Sequence, residues 1–280
     1  MLKTLFAYTN HIKLGALLYL LSAFAIVPQA AAGSRQEAAI QHAPEDVAAF
    51  SKGLEKYAAA QGARAFILAR KGRPQKDLPK GVWYTHTAIA IYSNVQLSTG
   101  EIVQSYAIHN LYQNPENSAQ SQLIVDYPID FFWGAYALEA GIIIPNPQVQ
   151  QALVELIANN QHTLLHNPRY SVLANPFNNE YQNCTEFTLD IVNAAIYNST
   201  QIPQLKANAR SHFIPQTIKM SRFKLFLGAA LMDDVSIKDH KGKVKTATFT
   251  SIANYMKQFQ LASTVVVLDS ELKVTQAKPR

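Results

Sequence analysis

The chain holds one cysteine, and the residues around it are suited to make it a nucleophile. Cys184 lies in Tyr181-Gln182-Asn183-Cys184-Thr185-Glu186-Phe187. Phe187, Leu189, Ile191, Val192, Ala195 and Ile196 then recur near a 3.6-residue period, which predicts a helix. Asn183 is a good N-cap, and Glu186, three residues on, could close a capping-box-like pair with it. Cys184 then stands in the first helical turn. There, unpaired backbone N–H groups and the positive end of the helix dipole favour a thiolate. Far upstream, Trp83-Tyr84-Thr85-His86-Thr87-Ala88-Ile89-Ala90-Ile91-Tyr92 reads as a strand with a histidine near its start. A thiol at a helix start and an imidazole on a strand are the parts of a thiol hydrolase or transferase. Each residue also has a plainer reading. A lone cysteine is often a small buried hydrophobe, and a lone strand histidine is often satisfied by backbone.

The elements that must position these residues read as follows. Pro44-Glu45-Asp46 opens a helix to about Gln61, with Val47, Phe50, Leu54 and Tyr57 on one face and Gly62 as its stop. Residues 65–69 form a buried strand, and the proline-bearing stretch 73–81 a surface loop. The His86 strand turns at 97–100 and returns through 101–108 as an antiparallel partner, which could bring Gln104 close to His86. Residues 126–133 are strongly aromatic and suit core packing. Asn146-Pro147 caps and starts another helix, striped by Val149, Leu153, Leu156 and Ile157. His162 and His166 are four apart, but no H-E-x-x-H pattern accompanies them, and no metal site or cofactor is expected. Past Asn198, residues 223–232 are apolar, 235–238 and 244–249 could form a hairpin around Asp239-His240-Lys241-Gly242, 251–259 looks helical and 264–268 is a strand. The expected class is α+β, an antiparallel sheet packed against helices.

The N-terminus bears on compartment. Lys3 and Lys13 precede an apolar run over 14–27, Pro28 breaks it, and Ala30-Ala31-Ala32 offers an A-x-A cleavage site before Gly33. This is the pattern of a secretory signal peptide over residues 1–32, processed after Ala32, so a periplasmic protein with no integral span after processing is expected. With 48% apolar and 16% charged residues the remainder is globular. A net charge of +6, scattered over loops and the C-terminal third, is mild, and no nucleic-acid motif accompanies it. A single cysteine can form no internal disulfide; in an oxidising compartment a free thiol is buried or used.

The order of these parts resembles the circularly permuted branch of the NlpC-type papain-like superfamily, the lecithin:retinol acyltransferase relatives among them. The resemblance rests on His86-Thr87-Ala88-Ile89-Ala90-Ile91, then Tyr170, then Tyr181-Gln182-Asn183-Cys184-Thr185-Glu186-Phe187, and covers roughly residues 63–198. The whole chain also looks like an uncharacterised family of exported bacterial proteins. The resemblance implies a permuted papain-like core over residues 33–198, with its N-terminal helix, and a C-terminal α/β extension over 199–280 packed on it. It implies Cys184 as nucleophile, His86 as base and Gln104 as the residue that orients the imidazole, with His109 the runner-up. Tyr181 and Asn183 would line the entrance and touch substrate. The implied activity is hydrolysis or acyl transfer at an amide or ester bond of a small molecule, peptide or lipid in the cell envelope. The rivals are an inactive peptide- or lipid-binding protein of the same fold and a structural envelope factor.

Overall fold

The structure, a computed structural model, describes residues 40–96, 99–219 and 232–277. The expected signal peptide over residues 1–32 and nearly all of the apolar run 223–232 lie outside these residues. Helix α1 (Pro44–Ala60) starts with a proline in its first turn and acidic Glu45 and Asp46 beside the dipole's positive end. Strand β1 (Ala65–Lys71) follows, then β2 (His86–Gln96), β3 (Ile102–Gln113) and β4 (Ser121–Asp126). The aromatic stretch forms a short helix, α2 (Pro128–Trp133), with Phe131 and Phe132 fully buried. Strand β5 (Ala137–Pro145) and helices α3 (Pro147–Ala158), α4 (Cys184–Tyr197) and α5 (Ile202–His212) come next. The described chain ends through β6 (Gln216–Thr217), β7 (Lys245–Thr246), α6 (Phe249–Gln258), β8 (Ala262–Leu268) and β9 (Val274–Gln276).

Seven strands form one antiparallel sheet in the order β4-β3-β2-β1-β5-β8-β9. The fold class is therefore α+β. Helices cover both faces, which explains why the central strands read as continuous apolar runs and not as alternation. Ala65, Ile67, Ala69, Ile89 and Ile143 pack under α3, α4 and α6. Phe66, Leu68, Ala88, Ala90, Ile108 and Ile142 pack under α1 and α2. Gly141 marks a close approach: a Cβ there would meet the Phe249 ring at 2.8 Å. Strand β8, from the chain's last part, pairs with β5 from Ala140↔Leu268 to Pro145↔Ala262.

Two regions differ from the sequence reading. The expected hairpin around residues 239–242 does not form. Lys245–Thr246 pairs instead with Gln216–Thr217, and Asp239 accepts from the Asn175 N–H at 2.8 Å, which ties the would-be turn to the loop before α4. Strand β5 and helix α5 carry no sequence signal used above. No helix among the described residues is long and apolar enough to cross a membrane.

Candidate active site

Cys184 is the first residue of α4, and Asn183 caps it. The Asn183 Oδ1 accepts from Thr185 N at 3.1 Å and Glu186 N at 2.9 Å. The Phe187 N–H goes to the Asn183 carbonyl. The Cys184 N–H is the first-turn donor that this cap does not use. Only half of the expected capping box is present, because the Glu186 carboxyl turns away to the buried Lys206 ammonium, 2.7 Å distant.

The Asn183 amide also donates to the Val172 carbonyl at 2.9 Å and to Thr246 Oγ1 at 3.3 Å. All the hydrogen-bonding capacity of its side-chain amide is thereby in use within the fold, as the cap of α4 and a tether to Val172 and Thr246. Tyr181 is half-buried, with the Arg169 guanidinium 4.8 Å over its ring. That stacking gives it a packing role.

His86 is the first residue of β2 and is 1% exposed. Its ring stacks on Tyr112 at 4.6 Å and tilts against Phe131 at 5.3 Å, on the α2 side of the sheet. Its Nε2 lies 2.9 Å from Asn110 Oδ1. The Asn110 Nδ2 donates to the Ile108 carbonyl at 2.9 Å and to Asp126 Oδ1 at 2.6 Å. A carbonyl only accepts, so the amide orientation is fixed: oxygen faces the imidazole, and His86 carries its proton on Nε2. The buried Nδ1 is then a bare lone pair, and it has no hydrogen-bond partner. Asp126 also accepts from the Tyr112 hydroxyl at 2.8 Å.

Burial, reinforced by the Arg70 charge, holds the His86 pKa well below its ordinary value, so the ring is neutral. Burial raises Asp126 to about 7 against the opposing pull of its hydrogen bonds from Tyr112 and Asn110.

The side chain that contacts the His86 imidazole is thus Asn110, not Gln104. Gln104 pairs with Asn94 across β2–β3, is exposed, and places its amide 3.5 Å from Asn94 Oδ1. The hairpin geometry decides this. Gln96 pairs with Ile102, so each step back along β2 moves one step forward along β3, and residues near His86 must come from the far end of β3. His109 faces the other side of the strand from Asn110. Its ring meets His162 edge-on at 5.1 Å. His166 instead lies 3.0 Å from Ser121 Oγ. The two histidines of the 162–166 pair therefore serve different neighbours. Among the described residues no group of three or more His, Cys, Asp or Glu side chains converges on a metal-sized site.

Cys184 and His86 are near each other but share no hydrogen bond. The Sγ lies 3.8 Å from the carbonyl of Thr85, the residue before His86, and 3.8 Å from Thr185 Oγ1. Bond lengths then keep the His86 Nδ1 within about 10 Å of the sulfur. Helix α4 packs on the opposite side of β2 from the imidazole: Thr188 Oγ1 donates to the Thr87 carbonyl at 3.3 Å, and Thr185 Oγ1 to Thr87 Oγ1 at 3.4 Å. The two groups flank the start of β2 from its opposite sides. Cavities of about 760 Å³ and 390 Å³ open elsewhere on the surface and include neither residue.

A family model matches residues 57–256, a span that holds His86, Asn110, Asp126 and Cys184. The chain belongs to DUF2145, an uncharacterised protein family conserved in bacteria. No curated protein and no solved structure matches it. In this DUF2145 chain the matched span runs from the end of α1 through most of α6, so it takes in β1 to β5 and both halves of the candidate site.

Proposed function

We propose that this protein is an exported cysteine hydrolase or acyltransferase of the permuted papain-like kind, acting on an amide or ester bond. The observation that carries the reading is the His86 Nε2–Asn110–Asp126 chain, which fixes the imidazole tautomer and leaves Nδ1 a bare lone pair on the strand whose preceding residue, Thr85, lies 3.8 Å from the Cys184 sulfur. A general base needs that lone pair. In the reaction Nδ1 takes the Cys184 proton as sulfur attacks the carbonyl carbon. The oxyanion that forms meets the spare Cys184 N–H at the helix start. The imidazolium then returns its proton to the departing amine or alcohol, leaving a thioester. Water or an acceptor alcohol or amine attacks the thioester and frees Cys184. Asn110 orients the ring and does not itself move a proton. In the cell envelope the fitting substrates are cell-wall peptides or acyl lipids. Sulfur and Nδ1 must approach for proton transfer, and in unliganded enzymes such bonds are often long.

A second reading has its own support. Both side chains are buried, Cys184 at 4% and His86 at 1%, and they do not hydrogen-bond. A closed, silent pair fits a binding or structural envelope protein. The test is covalent. The purified protein is incubated with activated esters of short and long acyl chains and with cell-wall peptides, and intact mass is measured after acid quench. The hydrolase reading expects an acyl adduct on Cys184 that Cys184→Ala lacks. No adduct with any substrate, together with no turnover, favours the second reading.

A further inference from the structure

Resting on the thiol reading above, we propose that Lys206 is a positioning residue for Cys184: it holds the Glu186 side chain inside the fold and so keeps the start of α4 free of a capping carboxylate. Other helices of this chain show what Glu186 would otherwise do. At α2 the Asp130 carboxylate returns to the Tyr127 N–H at 3.2 Å, and at α6 the Ser251 Oγ returns to the Thr248 N–H at 2.8 Å. At α6 the Thr248 hydroxyl accepts from Ser251 N in return, which closes a capping box. Helix α4 has the residues for the same box, and Asn183 makes its half. The Glu186 half is missing. Its side chain is fully buried, with Oε1 2.7 Å from Lys206 Nζ.

Lys206 comes from α5 and reaches two levels of α4. It also donates to Asp190 Oδ1 at 2.9 Å and Oδ2 at 2.7 Å. Asp190 Oδ2 accepts in turn from Gln182 Nε2 at 3.0 Å, and Gln182 Oε1 accepts from the Asn167 N–H at 2.9 Å. One ammonium thus anchors the helix on either side of its first turn and the loop before Cys184.

The charge count is consistent with this arrangement. Two carboxyls face one ammonium in a dry pocket. Burial pushes Glu186 up to about 8, against the pull of Lys206 and with Asp190 and Asp239 adding to the rise. Burial raises the Asp190 pKa as well, against the same ammonium. Glu186 Oε2 has no hydrogen-bond partner. Released to the solvent side, Glu186 would ionise and close the box on the Asn183 N–H. A negative charge would then stand beside the thiol and beside the Cys184 N–H. It would disfavour the thiolate and oppose any oxyanion there.

The test compares alkylation of Cys184 by iodoacetamide in four folded proteins. Lys206→Met/Asp190→Asn removes the anchor but keeps Glu186, and should label about tenfold more slowly than wild type at pH 7, the effect of one pKa unit. Adding Glu186→Leu removes the capping carboxylate and should restore the wild-type rate. A purely structural role for Lys206 predicts no such rescue, and an unrescued triple variant overturns the proposal. So does a double variant that labels at the wild-type rate. Should either multiple variant fail to fold by circular dichroism, Glu186→Gln decides. This amide still accepts from Lys206, so the pH profile of labelling should stay within about 0.3 unit of wild type, whereas a shift of about one unit shows that Glu186 already acts on the thiol and overturns the proposal. A wild-type thiol inert to the reagent sinks the functional reading itself; a reactive one with the wrong variant order sinks only Lys206.

Discussion

The two halves of the candidate site are built by different physics. The Cys184 half is local: Asn183 caps the residues two and three places on, and the helix that follows is buried almost throughout. The His86 half is distant in sequence. His86 on β2 meets Asn110 on β3, and Asn110 meets Asp126 on β4, so three strands must find their register before the imidazole is oriented. A helix start is written in a few adjacent residues. A strand-borne network is written in pairing, which no short window of sequence contains. The difference also separates what holds each half in place. Asn183 is one residue with four short tethers. The imidazole depends on a chain in which losing one member strands the others.

This contrast ranks substitutions. Asn110→Ala should have the largest effect. It leaves the His86 N–H and the Asp126 carboxyl without their shared partner in a buried site, at about 3 kcal/mol in urea unfolding, and it should lower any turnover sharply by freeing the ring. Asn183→Ala removes a local cap and should cost about 1–2 kcal/mol in the same measurement. If Asn183→Ala proved the more damaging of the two, the nucleophile half would be the fragile one and the contrast would reverse. Gln104→Ala touches an exposed pair with Asn94 and should fall within about 0.5 kcal/mol of wild type, with His86-dependent chemistry unchanged. A loss of activity there would restore Gln104 to the site and discard the register argument.

The same contrast explains what could be read in advance. The starts of α1, α3 and α4 were legible because proline and asparagine sit where unpaired N–H groups need them. The β2–β3 pairing was legible too. What escaped was its consequence. The pairing of Gln96 with Ile102 places Gln104 opposite Asn94 and leaves the far end of β3 for His86, so Asn110 is within reach of simple counting. Nothing comparable marked Asp126, whose place depends on β4, nor β5, whose residues 137–145 carry no turn or alternation signal. Glu186 was misread for another reason. Its spacing from Asn183 is that of a capping box, and only the fold brings Lys206 close enough to divert it. Local grammar proposed the box; a long-range ion contact dissolved it.

The central claim is that Cys184 is a working thiol served by His86. The most direct measurement is the rate at which iodoacetamide labels Cys184 in the native protein near pH 7, in wild type and in His86→Ala, with the unfolded chain as reference. The account predicts that native wild type labels at least as fast as the unfolded chain and that His86→Ala is slower by about tenfold, since the base that takes the thiol proton is gone. A native thiol that reacts only after unfolding, at a rate indifferent to His86, would make Cys184 a core residue and contradict the account.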